Sequence, residues 1–187
     1  MPRRSDKRER LIAAARQLFH QQGLGETTLA DIAEVGGVPL GNVYYYFRTK
    51  EDLAAAVVEE RTREYARLFE AWEREHPDPR ARLQAYLSLL VENRETLARA
   101  GCPVGGLCQE LDKLRSPLAR RANGILEAHL EWVTDQFRGL GAGARAPALG
   151  LHLLTVVQGM SLLAQAFGDP EVVTREARTL RRWLDQI

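Results

Sequence analysis

Three adjacent tyrosines, Tyr44, Tyr45 and Tyr46, followed by Phe47, Arg48 and Lys50, are the side chains best equipped to grip a polar partner. A short helix cannot bury that many rings, so some phenol hydroxyls are left facing outward beside two cations. Just upstream, Leu40 offers an apolar contact for a thymine methyl and Asn42 an amide that pairs with adenine. Gly41 between them lets the backbone come close. Hydroxyls and an amide for base edges, with cations for phosphates, are the chemistry of nucleic-acid binding. Thr27 and Thr28 at a helix N-terminus, Lys50 at the next one, and Arg3 and Arg4 on the N-terminal arm suit phosphate. By pattern, Val43 and Phe47 belong to the core, together with one of Tyr44 and Tyr46.

The surrounding residues must position that surface. Thr28 with Asp31 has the spacing of a capping box, and Leu29, Ile32 and Ala33 give the helix behind it one apolar face. Gly36-Gly37 supplies residues that turn at positive φ, and Pro39 suits the start of the next helix. Helix, tight turn and helix at this spacing is the geometry that lays a second helix in a DNA major groove.

Charge agrees locally. The chain of 187 residues carries a net charge of only +1, with 45% hydrophobic and 27% charged residues, the profile of an ordinary globular protein. Within residues 1–50, however, eight basic residues face five acidic ones, a surplus of three. Two cysteines cannot make a disulfide framework, the first residues do not resemble a signal peptide, and the most apolar stretch, 146–167, is broken by Pro147, His152, Gln158 and Gln165. A cytoplasmic protein without a membrane partner is expected. The histidines His20, His76, His129 and His152 are scattered, with no metal-ligand spacing, no phosphate-cradling loop and no catalytic set, so neither metal, cofactor nor catalysis is expected.

Helical periodicity runs the whole length, with no strand pattern. It predicts about nine helices: 5–22, 28–35, 39–46, one from Thr49 to before His76-Pro77, 80–98, 107–114, 116–138, 147–167 and 171–186. Gly101–Gly106 reads as a packed loop and 139–147 as a flexible linker. The fold class is therefore all-α.

The combined pattern resembles the TetR family of one-component transcriptional repressors. It is carried by Ala-Arg-Gln-Leu-Phe at 15–19, Gly23, Thr27-Thr28, Ile32-Ala33, Gly37-Val38, Gly41-Asn42-Val43-Tyr44-Tyr45-Tyr46-Phe47 and Lys50-Glu51-Asp52-Leu53, within residues 8–58. Two departures stand out: Pro39-Leu40 where many members begin the third helix with a serine or a charge, and Tyr46 in place of a common histidine. The resemblance implies a three-helix DNA-binding head over residues 1–48 and a ligand-binding and dimerisation body over 49–187. It further implies a homodimer on a palindromic double-stranded operator, released by a small inducer, hydrophobic or amphipathic. For the inducer site, the candidates on otherwise apolar helices are Tyr65, Phe69, Tyr86, Cys102, Trp132, His152, Gln158 and Met160. For the dimer interface, the last two helices offer Leu151, Leu154, Leu162, Leu163, Leu180, Trp183 and Leu184. Two alternatives stay open: a regulator sensing electrophiles or redox state through Cys102, or a helical protein-interaction module without DNA binding. Alanine at Tyr45 or Lys50 is expected to weaken DNA binding at unchanged stability.

Overall fold

Leu11, Ala15 and Leu18 repeat at helical spacing and are buried along one side of α1 (Arg4–Glu26), the helix on which the head is assembled. The computed structural model describes residues 4–187, with side chains from residue 6, so the expected contacts of Arg3 and of the Arg4 side chain lie outside the described residues. Gly23, at φ 88°, ψ 160°, breaks the helix one turn before its end, a conformation that any side chain would strain. The capping box forms at α2 (Leu29–Gly36): Thr28 Oγ1 accepts the Asp31 amide, and Asp31 Oδ2 accepts the Thr28 amide. Gly37, left-handed at φ 57°, turns the chain into α3 (Leu40–Tyr46). Arg10 clamps that turn by donating to the Gly37 carbonyl at 2.7 Å.

A second capping box, Thr49 with Asp52, starts α4 (Lys50–Glu75). The body continues through α5 (Pro79–Glu92), α6 (Arg94–Ala100), α7 (Pro103–Lys113), α8 (Ala119–Gly139), α9 (Ala146–Phe167) and α10 (Glu171–Leu184), ten α-helices among the described residues. The helix expected over 80–98 breaks at Asn93, whose side chain donates to the Leu89 carbonyl and ends α5. Two expected loops are ordered. Cys102 caps α7, its sulfur accepting the Gly105 amide, and Pro103 opens the helix, so the Gly101–Gly106 segment is mostly helical. The linker at 139–147 holds a 3₁₀ turn, Gly143–Arg145, that runs into α9.

Two apolar cores hold the elements. The first joins Leu11, Ile32, Val43 and Leu53 to Val104, Leu107 and Leu111 of α7 and Ile125 of α8, so packing runs unbroken across residue 48. The second is built on Phe137, Leu83, Leu87, Leu153, Met160 and Leu184. The segment Gly143–Phe167 is long and apolar enough to cross a membrane, with a mean hydropathy of 1.4. In the fold it packs against α6, α8 and α10 and keeps a separate apolar face outward.

Candidate nucleic-acid interface

The short α3 divides its residues by face. Val43 and Phe47 point inward and are buried, anchoring the helix to the first core. Tyr46 is the core-side tyrosine: it is half-buried, packs on that core, and meets Tyr45 edge-on with ring centroids 5.0 Å apart. The outer face is Leu40, Gly41, Tyr44 and Tyr45, all exposed, with Asn42 half-buried beside them. Tyr44 and Tyr45 keep 54% and 60% of their surface, which for rings on a seven-residue helix leaves a broad aromatic patch in solvent. Five residues of this patch, Leu40, Gly41, Asn42, Tyr44 and Tyr45, thus lie together on one side of α3, and Val43 is buried as its pattern predicts.

Three phosphate candidates have other engagements. Thr27 is fully buried and its hydroxyl donates to the Gly23 carbonyl at 2.6 Å, so its side chain braces the α1–α2 turn and has no open face. Thr28 is exposed, but its hydroxyl oxygen is committed to the cap of α2. Lys50 is half-buried, and its ammonium donates to the Leu24 and Gly25 carbonyls at 2.7 and 3.1 Å. That corrects the expectation for Lys50→Ala: removing the ammonium strips two carbonyls of their partner and lowers stability as well.

The turn that Lys50 grips is held from the body too. Glu110, on α7, accepts the Leu24 amide through Oε2 and the Gly25 amide through Oε1, each at 2.8 Å. A carboxylate receiving two backbone N–H groups is a strong, charge-assisted bridge. Sequence pattern offers no reason to single out Glu110, because its partners are backbone amides 86 and 85 positions away.

Of the inducer candidates, the structure unites five. Tyr65, Phe69, Tyr86, Trp132 and Met160 lie in the body, where Phe69 stacks on Trp132 at 4.7 Å with 10° between planes. Trp72, at 5.4 Å from Trp132, and His129, at 4.3 Å from Tyr65, complete the aromatic cluster and were not anticipated. Trp132 Nε1 donates to Glu73 at 2.9 Å. Cys102, His152 and Gln158 fall elsewhere. His152 is exposed against Trp183, and Gln158 lines an open groove between α1, α7 and α9 with Cys102, so neither is the buried polar group expected of α9. Burial lifts the Tyr65 phenol to about 12 and the Cys108 thiol to about 11, keeping both neutral.

Burial also lowers the His129 pKa below the ordinary histidine range, against the opposing pull of the Ile125 carbonyl that its Nδ1–H meets at 2.7 Å. The folded chain therefore refuses a proton that the unfolded chain accepts, and stability falls as pH drops through the unfolded histidine range. We expect the melting temperature to fall between about pH 7.5 and about pH 5.5. His129→Phe should flatten that fall in pH-dependent thermal denaturation, with His20, also lowered chiefly by burial, leaving a residue. An equally steep profile in the variant would assign the fall to other groups.

Among the dimer candidates, Leu151, Leu162 and Leu163 are exposed and Trp183 is half-buried. Leu154, Leu180 and Leu184 are corrected: they are buried within the chain's own core, where α9 and α10 pack, and have no surface left for a partner.

The chain resembles known proteins over both halves. The model for bacterial regulatory proteins of the tetR family matches residues 11–57, which take in α2, α3 and the start of α4. The transcriptional regulator LmrA of Bacillus subtilis is 33% identical over 170 residues, spanning 85% of this chain and 86% of LmrA. The chain belongs to the TetR family of transcriptional regulators. The match to the regulator TtgR of Pseudomonas putida, 29% identical over 130 residues, spans 66% of this chain and 61% of TtgR's length. Among solved structures, a regulatory protein TetR from Rhodobacter sphaeroides superposes with a TM-score of 0.82 at 26% identity, over 93% of this chain and 96% of the other. The fold of NemR of Escherichia coli in its reduced form is also shared, with a TM-score of 0.77 at 20% identity, over 95% and 97% of the two chains.

Proposed function

We propose that this TetR-family chain is a DNA-binding repressor that pairs as a homodimer on a palindromic operator in the cytoplasm and leaves it when a small inducer binds. The observation that carries the DNA-binding reading is the outer face of α3, where Leu40, Gly41, Asn42, Tyr44 and Tyr45 stand clear of a helix pinned from behind by Val43 and Phe47. A rigid helix with exposed base-reading groups is what a major groove accepts. Residues 1–48 serve as the reading head and 49–187 as the sensing and pairing body. Arg3 and Arg4 contribute phosphate contacts from the arm, and Tyr44 and Tyr45 reach bases or phosphates. No catalysis is assigned.

The inducer reading rests on the aromatic cluster in the body. Rings of Phe69, Trp72, Tyr86 and Trp132 fill that space against one another. A planar hydrophobic ligand enters by parting the Phe69–Trp132 stack, and the shift of α4 and α8 alters the setting of the heads. Coupling of this kind requires only that ligand and DNA prefer different arrangements of the same helices.

Selection from a random DNA library with the purified protein tests the reading, and a palindrome with half-sites about one helical turn apart is the expected product. On that DNA, Tyr45→Ala should weaken binding by roughly tenfold to a hundredfold, the 1–3 kcal/mol range of a base-reading contact. Its melting temperature should hold, because the ring packs on the surface. Unchanged affinity in a folded Tyr45→Ala protein would remove α3 as the reading helix.

A further inference from the structure

A cleft of about 910 Å³ opens between head and body, and its walls are strongly basic. The flank of α1 contributes Arg10, Arg16 and His20, α4 contributes Arg61, and α6 contributes Arg99. None of the described residues lining it is acidic. Glu64 at its edge is the local counter-charge, and one oxygen serves two guanidiniums: Glu64 Oε2 accepts from Arg16 at 3.1 Å and from Arg61 at 3.0 Å. The Arg61 side chain is only 12% exposed, so a largely desolvated cation is left with half of one partly exposed carboxylate. Arg10 spends one N–H on the Gly37 carbonyl, and Arg99, exposed on the facing wall, makes no ion pair among the described residues. Four guanidiniums from three helices thus line one concavity that no carboxylate among the described residues lines, with Glu64 at its edge and Glu60, already paired with Arg63, acting on Arg16 from beyond.

Such an arrangement is costly unless something neutralises it. Like charges a few ångströms apart repel, and a low-dielectric wall focuses their field into the cleft. The volume is that of a small-molecule site, and guanidinium forks match the oxygens of a phosphate in pairs. We infer that the head–body cleft binds a small polyanion carrying two or more phosphate groups, held by Arg16, Arg61 and Arg99, with His20 at its wall. Because Arg16 rides on α1 and Arg61 and Arg99 on α4 and α6, the anion ties the DNA-reading head to the body. The site is separate from the aromatic cluster in the body, and binding there does not depend on the proposed operator or inducer.

Inorganic tripolyphosphate added to the full-length protein is the test, read by calorimetry and by the imidazole NMR signals at about 0.15 M salt, where loose surface attraction is screened. Saturable binding with one site per chain is expected, together with an upward move of the His20 titration. That histidine is held low by burial, against the Gly101 carbonyl that its Nε2 meets at 2.9 Å, and Arg61 adds to the lowering; a bound anion cancels the Arg61 contribution. Arg99→Ala, at an exposed position, should keep the fold and weaken binding about tenfold, as loss of a charge-assisted contact does. The control Arg115→Ala, in the turn after α7, should bind as wild type. Absence of saturation, or equal binding by the Arg99→Ala and wild-type proteins, overturns the proposal. So does a result in which only duplex DNA shifts the His20 signal, since the cleft would then hold operator phosphates.

Discussion

Glutamate at both Leu163 and Phe167 should give a folded monomer that binds operator DNA at least about a hundredfold more weakly than wild type, the scale of a lost second binding arm. Leu151, Leu162, Leu163 and Phe167 expose 55, 60, 45 and 69% of their surface, a run of large apolar side chains on the outer face of one helix. Apolar surface concentrated in this way marks a contact face, and water would otherwise have to coat it. The opposite face of α9 carries Leu153, Leu154, Val157, Met160 and Ala164 into the chain's own core, so the substitutions leave the internal packing untouched. In the proposed homodimer, two carboxylates facing their own copies across the two-fold axis would place like charges together in a desolvated seam. Light scattering on the eluting protein gives the oligomeric state, thermal denaturation the integrity of the fold, and fluorescence anisotropy the DNA affinity. A dimer that survives both substitutions would move the pairing surface off α9. A monomer with full affinity would instead break the link between pairing and operator binding.

That face also shows where sequence reading stops. The head was legible because its signals are local: Thr28 with Asp31 and Thr49 with Asp52 form their caps within one turn, and Gly37 takes the positive φ that its place in the turn demands. Which tyrosine turns inward was already narrowed to two, and Tyr46 is the one. In α9 the apolar residues surround the helix and in α10 they form one stripe, and periodicity cannot tell a face covered by the same chain from one left for another. Leu154, Leu180 and Leu184 therefore joined Leu151, Leu162 and Leu163 in one list although they lie inside. The same limit applies to Lys50. Its charge and place predict a phosphate contact, but only the fold brings the Leu24 and Gly25 carbonyls to its ammonium. His152 and Gln158 are not the buried polar groups expected of α9 for a related reason, since an apolar helix need not be buried all round.

The second large effect is expected at a residue with no sequence signal. Glu110→Ala should lower stability by about 3 kcal/mol, two charge-assisted hydrogen bonds at about 1.5 kcal/mol each, and weaken DNA binding by about tenfold through loss of head placement. The Gly23–Leu24–Gly25 turn is clamped on both polar sides: Glu110 takes the amides of Leu24 and Gly25, while Lys50 takes their carbonyls. Thr27 adds a third tie by donating to Gly23. Without the carboxylate, the Leu24 amide, beneath a buried side chain, loses its acceptor, and the ammonium of Lys50 is left as the only charge on the turn. In a chain of this size the loss should lower the melting temperature by roughly 6–12 °C. Glu110→Gln should fall between the two, because its amide keeps one acceptor oxygen but turns an N–H toward the other backbone donor. The turn sets where α2 begins and hence where α3 points, while Glu110 sits on α7, which packs on α8 beside the aromatic cluster. A displacement of α8 therefore has a covalent and hydrogen-bonded route, through α7 and Glu110, to α3, the proposed reading helix. Wild-type DNA affinity in a destabilised Glu110→Ala protein would keep the clamp as a stabilising feature and remove it from that route.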